Sequence, residues 1–133
     1  MIPKFRVWDK NNKCMHEVRS IWIGDDFPLN SHVVYSLGNT VEVIFDDIEL
    51  MQSTGLKDKN GVEIFDGDIV AVENHPFQRK EDSGAGIEIE GNYVVGWNQH
   101  DLTWCAGDLL LARLKPYVRV IGNMYENSEI LKQ

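Results

Sequence analysis

A chain of 133 residues can form a self-sufficient hydrophobic core, and 43% apolar with 26% charged residues is typical of a globular protein. It has no run of about 20 apolar residues that could span a bilayer. No apolar run follows its first basic residues, as a signal peptide would require, so we expect a cytoplasmic protein without membrane contact. The net charge of −8 disfavours a nucleic-acid partner, because affinity for nucleic acid comes largely from Lys and Arg side chains that neutralise phosphates.

The first 49 residues are predicted to form an N-terminal β segment packed on the rest of the chain. Phe5 and Val7 alternate with polar residues and a polar cluster follows them, so residues 4–16 are predicted to form a β-hairpin. The runs that follow are short, rich in β-branched and aromatic residues, and separated by turn residues, which favours strands over helices. These strands are predicted over residues 20–23, 33–37 and 41–45.

Residues 50–133 are predicted to form an SH3-like β-barrel region that ends in a short C-terminal helix or tail. Residues 54–58 are predicted to turn, and Asn60-Gly61 favours a tight turn because both residues adopt positive φ at low cost. The polar residues 74–86 are predicted to form a loop. The fold class is therefore mainly β, with short antiparallel strands and little helix. Further strands are predicted over 69–73, 93–97, 102–105 and 117–121, with strand or one helical turn at 109–114.

A predicted hairpin near residue 100 carries the candidate interaction surface. Trp97 and Trp104 flank a predicted four-residue turn that contains His100, so the two indoles can pair across the hairpin. A cross-strand packing role is the structural alternative for both tryptophans. A thiol nucleophile made of Cys105 with His100 as its base is disfavoured, because the hairpin places His100 in the turn and Cys105 along the strand.

The sequence assigns no catalytic residue, no cofactor site and no metal site. Cys14 and Cys105 lack metal-ligand spacing and are predicted to be free thiols. A calcium loop beginning at Asp58 fails, because its fifth position is Val62 and its sixth, where the pattern requires Gly, is Glu63. Turn formation explains the acidic and amide residues of this stretch better, since their side chains bond to nearby backbone N–H groups.

Three segments in chain order resemble the signature of the YopX family. The longest reads LMQSTGLKDKNG over residues 50–61 and EIFDGDIV over 63–70; the others cover residues 4–9 and 120–127. Ser53 departs from the pattern, which implies an aromatic residue there. The resemblance implies a protein encoded by a phage or prophage, with a mainly β fold that includes an SH3-like barrel part. It implies no catalytic residue.

Together these features predict a phage or prophage accessory protein of unknown biochemical function, which we expect to be a non-enzymatic protein-binding module. Its partner would be a host or phage protein, and a homo-oligomer is a further expectation because edge strands need cover. A small metal-dependent hydrolase that uses the carboxylates is one alternative. The other is a nucleic-acid-binding module on the barrel, whose basic patch would be Arg79, Lys80, Arg113, Lys115 and Arg119.

Overall fold

The structure is a computed structural model, and it describes residues 4–23, 31–35, 41–44, 48–76 and 89–132. The described chain is mainly β, which confirms the predicted fold class. It divides into two compact units, Met1–Ser53 and Thr54–Gln133.

The first unit is an antiparallel sheet with the strand order β4-β3-β2-β1-β5. The predicted hairpin at residues 4–16 is confirmed, because β1 and the start of β2 pair across a turn at residues 10–13. Val7 and Met51 are buried in this unit, as are the polar side chains of Asp9 and Ser53. The strands are β1 (Phe5–Asp9), β2 (Cys14–Ile23), β3 (Ser31–Tyr35), β4 (Val41–Ile44) and β5 (Ile48–Lys57). The predicted division between residues 49 and 50 falls inside β5.

The second unit contains a five-stranded antiparallel sheet that curls into a half-barrel, with the order β10-β9-β8-β7-β11. Its elements are β6 (Glu63–Phe65), β7 (Asp68–Val72), β8 (Gly91–Asn98), β9 (Thr103–Ala106), β10 (Leu109–Leu110), α1 (Leu111–Leu114) and β11 (Val118–Asn123), with 3₁₀ helices at Lys115–Tyr117 and Ser128–Lys132. The hydrophobic core of this unit includes Ile64, Val70, Val95, Ala106, Leu111, Leu114 and Val118.

Two local predictions for the second unit need correction or refinement. The predicted turn at 54–58 is wrong, because β5 continues to Lys57 beside β6. The Thr54 hydroxyl donates a 2.8 Å hydrogen bond to the Ile64 carbonyl, and Gly55 accommodates a φ of 78° without ending the strand. Residues 109–114, predicted as strand or helical turn, form both: β10 and then α1. Of the predicted loop 74–86, residues from 77 onward lie outside the described chain.

Candidate functional site

The β8–β9 hairpin pairs the two tryptophans that the sequence singled out. Trp97 lies directly opposite Trp104 in the register, and their rings meet edge to face with centroids 5.3 Å apart and planes at 76°. This confirms the predicted cross-strand pair. Trp104 packs partly against the core of the second unit, whereas Trp97 remains 48% exposed. The pair therefore joins the core to an exposed aromatic surface.

The turn of this hairpin holds a large apolar side chain in solvent. The Asn98 side-chain oxygen accepts the backbone N–H groups of His100 at 2.9 Å and Asp101 at 3.0 Å. The turn ends at Leu102, which has a φ of 53° and is 71% exposed. Residues 98–101 were predicted to turn, with 102 opening the strand; the strand instead begins one residue later, because Leu102 takes the left-handed conformation.

A second turn in the same chain shows that this position does not require an apolar residue. At the β1–β2 hairpin the Asp9 side chain accepts the N–H groups of Asn11 and Asn12, and the turn ends at Lys13 with the same φ of 53°. Lys13 is polar and exposed, whereas Leu102 is apolar and exposed. The geometry of the turn therefore accounts for the backbone at Leu102 but not for its side chain.

We name Trp97, His100, Leu102 and Trp104 the hairpin surface. The sequence predicted three of these four residues and missed Leu102. The sequence signal for Leu102 is a leucine immediately after a polar turn. That signal does not distinguish the first residue of a strand from an exposed turn residue unless the positive φ is known.

The environment of Cys105 disfavours thiol chemistry at this hairpin. Burial raises the pKa of the Cys105 thiol, and the negative charges of Asp101 and Asp108 raise it further. Only 4% of Cys105 is exposed, while His100 lies in the exposed turn. A nucleophilic cysteine needs a depressed pKa and a base within hydrogen-bond reach. Of these two aspartates, Asp101 places a negative charge in the turn of the hairpin surface.

An open cleft of about 460 Å³ lies beside β10 in the second unit. His75 and Tyr117 line it with rings whose centroids are 4.7 Å apart, and Leu110 adds apolar surface while Arg113 adds a positive charge. This volume is typical of small-ligand sites. The lining also includes residues 76 and 89, which flank the undescribed residues 77–88, whereas the hairpin surface consists wholly of described residues.

The central motif around Asp58 serves the backbone of the second unit. The Asp58 carboxylate accepts hydrogen bonds from the backbone N–H groups of Asn60 at 2.8 Å, Val62 at 2.9 Å and Val120 at 2.9 Å. Because Val120 lies in β11, the carboxylate connects its own turn to that strand. Burial raises its pKa, but these backbone bonds more than offset that effect and the pKa lies below its usual value. Asp68 likewise accepts a backbone N–H within its own turn. These carboxylates have structural partners, in agreement with the turn interpretation rather than a calcium loop.

The basic patch predicted from the sequence is only partly testable. Arg79 and Lys80 lie outside the described residues. Arg119 forms a 2.7 Å ion pair with Glu73, and hydrogen bonds from Arg119 and Lys59 hold the pKa of Glu73 below its usual value. The Arg119 charge is therefore matched by a carboxylate.

A different set of basic residues shares one cleft. Lys57, Lys59 and Lys115 are exposed and line an open cleft of about 530 Å³ in the second unit. Lys115 belonged to the predicted patch; the two other lysines did not, because they come from the central motif. Lys59 also pairs with Glu73 at 3.1 Å.

One cluster of potential metal ligands in the described part of the first unit was not predicted from the sequence. One donor atom each from Asp9, Cys14 and His16 lies within 4.8 Å of the other two. Linear spacing alone predicts no metal site at Cys14. The strand register brings the three residues together, since it pairs Asp9 with Cys14 and leaves His16 on the same face, whereas the sequence predicts Asp9 to lie in the turn.

Comparisons with known proteins give a family and a fold but no activity. A family model described as YopX protein matches residues 4–132. The crystal structure of protein EF1440 from Enterococcus faecalis is similar to this chain, with a TM-score of 0.58 and 29% identity over 98% of this chain and 99% of that one. No curated protein matches. Among the described residues, no helix has the length and apolar character needed to cross a membrane.

Proposed function

Because this chain belongs to the YopX family, as its sequence predicted, and family membership alone carries no activity, we propose a function from its surface. The protein is a non-enzymatic, phage- or prophage-encoded module that binds another protein in the bacterial cytoplasm. The hairpin surface is its binding site. The observation that carries this proposal is the exposure of two large apolar side chains, Trp97 and Leu102, on one hairpin, where the matching turn position of the β1–β2 hairpin holds the polar Lys13.

The energetics of exposure support a binding role for these side chains. Fully burying a leucine side chain is worth roughly 2 kcal/mol, and the exposed Leu102 realises little of this in the free protein. Tryptophan is among the residues most often found at the energetic centre of protein interfaces. Trp97 is held in place by Trp104, so little conformational entropy is lost when a partner covers it.

The charge around the hairpin surface defines the chemistry of the partner. Asp101 lies within the turn of this hairpin and is exposed, and the whole chain has a net charge of −8. A complementary partner is therefore a protein segment with one large apolar side chain flanked by Lys or Arg. Its association should slow as salt concentration rises, because screening weakens the attraction between opposite charges.

Selection from a random peptide library on the immobilised protein tests this proposal. We expect enriched peptides to combine an aromatic or aliphatic anchor with basic neighbours. They should bind the Leu102→Asn variant at least about tenfold more weakly, since truncation of a central interface residue costs about 2 kcal/mol or more. Asn is suited to the left-handed conformation at this position.

The matched control is Val62→Asn, which changes another exposed apolar residue, 49% exposed, outside the hairpin surface. The control should bind the selected peptides like the wild type. Equal affinity of all three proteins contradicts the proposal. Light scattering on the same proteins tests whether a second copy of this chain covers the hairpin surface. If so, the wild type is a dimer and the Leu102→Asn variant is a monomer.

The lysine cleft supports one second candidate function, binding of a nucleic-acid backbone. Lys57 and Lys115 add positive charge to this cleft beside Lys59, whose charge is shared with Glu73, and phosphate contacts dominate affinity for nucleic acid. A gel-shift assay at low salt should then show a complex that Lys57→Glu and Lys115→Glu abolish and Leu102→Asn preserves. No shift at micromolar protein removes this candidate.

A further inference from the structure

Asp9, Cys14 and His16 present three different donor groups on one face of the β1–β2 hairpin. Asp9 pairs with Cys14 in the strand register, and His16 follows Cys14 by two residues, so all three side chains share a face. The Cys14 sulfur lies 3.0 Å from Nε2 of His16, and the three donor atoms are within 4.8 Å of one another. We propose that this cluster binds one divalent transition-metal ion of the zinc type.

The donor set selects the class of metal. Thiolate, imidazole and carboxylate together are the ligands of zinc and of cobalt(II), whereas calcium and magnesium prefer oxygen donors alone. Zinc bonds of about 2.3 Å to sulfur and about 2.0 Å to nitrogen, at tetrahedral angles, separate the sulfur and nitrogen atoms by roughly 3.5 Å. The observed 3.0 Å separation therefore needs only a small side-chain rotation to admit the ion. Three protein ligands leave a fourth position for water.

Asp9 is held in the way that a ligating carboxylate usually is. Its side chain is 2% exposed and accepts the backbone N–H groups of Asn11 at 2.9 Å and Asn12 at 3.1 Å, while the Asn12 amide donates to its other oxygen at 2.9 Å. Hydrogen bonds of this kind orient metal ligands and tune their affinity. The ligand would thus be oriented before the ion arrives.

The β8–β9 hairpin shows that the turn alone does not require this donor set. There Asn98 occupies the place of Asp9 and accepts the corresponding two backbone N–H groups through its amide oxygen. The residue that pairs with Asn98 is Thr103, where the first hairpin has Cys14. An amide and a hydroxyl are sufficient for the turn, so the carboxylate and the thiol call for another explanation.

A thiol nucleophile activated by His16 fits the surroundings less well than a metal site. Acyl transfer to Cys14 would need N–H donors beside it to stabilise an oxyanion. The nearest turn supplies the N–H groups of Asn11 and Asn12, and both are already donated to Asp9.

Titration of the full chain with cobalt(II), after removal of metal with a chelator, tests the proposal. We expect one equivalent to produce a thiolate-to-cobalt charge-transfer band and the visible bands of a tetrahedral site, and zinc to abolish both. Cys14→Ser should lose the charge-transfer band. His16→Ala and Asp9→Asn should weaken binding at least about tenfold. Asp9→Asn is informative because Asn98 shows that an amide supports the same turn.

Cys105→Ala is the matched control, since it removes the buried thiol of the other hairpin, and it should bind cobalt like the wild type. Absence of the charge-transfer band in the wild type at stoichiometric cobalt overturns the proposal even if a variant fails to fold. Its persistence in Cys14→Ser, or its loss in Cys105→Ala, overturns it equally. Circular dichroism of each variant shows whether the fold is retained.

Discussion

Replacement of Asp58 should have a large effect on stability and none on binding. In Asp58→Ala three backbone N–H groups, those of Asn60, Val62 and Val120, lose their acceptor. A donor left without a partner costs about 1–3 kcal/mol when it is fully buried; because these three bonds are only partly buried, we expect the lower part of the summed range, about 3–5 kcal/mol. This is a large part of the about 5–15 kcal/mol by which a typical domain is stable.

Asp58→Asn separates the contributions of the two carboxylate oxygens. The amide oxygen can still accept the Asn60 and Val62 N–H groups, but the amide nitrogen would face the N–H of Val120. We therefore expect an intermediate loss of about 1–3 kcal/mol. Urea unfolding followed by circular dichroism gives these differences from the transition midpoints.

Asp101→Ala is the control, because it removes an exposed aspartate from another turn and should change stability by no more than about 0.5 kcal/mol. The reasoning is refuted if Asp58→Ala costs less than about 1 kcal/mol, or if Asp58→Asn and Asp58→Ala cost the same. Either result would mean that the central motif does not stabilise the second unit through this carboxylate.

The same carboxylate predicts a pH dependence. The pKa of Asp58 in the folded protein lies below its usual value of 3.8, so the ionised form stabilises the fold. This contribution is complete above the unfolded pKa and is lost as the pH falls below 3.8 through the folded pKa. The stability advantage of the wild type over Asp58→Asn should therefore shrink in that acid range. An advantage that stays constant in the same range contradicts the assignment.

Three further predictions concern the second unit. Burial, Asp101 and Asp108 raise the pKa of Cys105, so its thiol should react with an aromatic disulfide reagent only after denaturation, and rapid reaction of both thiols in the native protein contradicts this. Trp104→Ala should destabilise the protein by roughly 2 kcal/mol more than Trp97→Ala, because Trp104 packs against the core. A double-mutant cycle of the two residues should give a coupling energy of about 0.5–1.5 kcal/mol, and a coupling energy near zero means that the rings do not interact. Gly107→Ala should cost about 1–3 kcal/mol in a melting experiment, because its φ is +59° and the new methyl would lie 2.8 Å from the Tyr93 ring; a neutral effect contradicts that contact.

Local signals in the sequence were sufficient to predict the two hairpins. The alternation of apolar and polar residues around a polar turn predicted the β1–β2 and β8–β9 hairpins, because both signals act over only a few residues. The same local reasoning failed at residues 54–58. Glycine and aspartate favour a turn there, but pairing with β6 extends the strand, and that pairing depends on residues further along the chain.

The candidate sites were predicted only where they followed from the hairpin pattern. The Trp97–Trp104 pair follows from a turn of known length, so it was predictable. Leu102 was missed because a positive φ in a leucine has no reliable signal in a single sequence. The cluster of Asp9, Cys14 and His16 depends on the cross-strand register, which linear spacing does not reveal.

The central claim is that the hairpin surface, rather than either cleft of the second unit, binds a protein partner. Backbone and indole NMR spectra of the protein, recorded with and without one library-selected basic peptide, test this directly. The account predicts that the largest shift changes fall on residues 97–104, including the Trp97 indole N–H, and that Leu102→Asn removes them. Changes centred instead on Tyr117 or on Lys57 would contradict it and assign binding to the β10 cleft or to the lysine cleft.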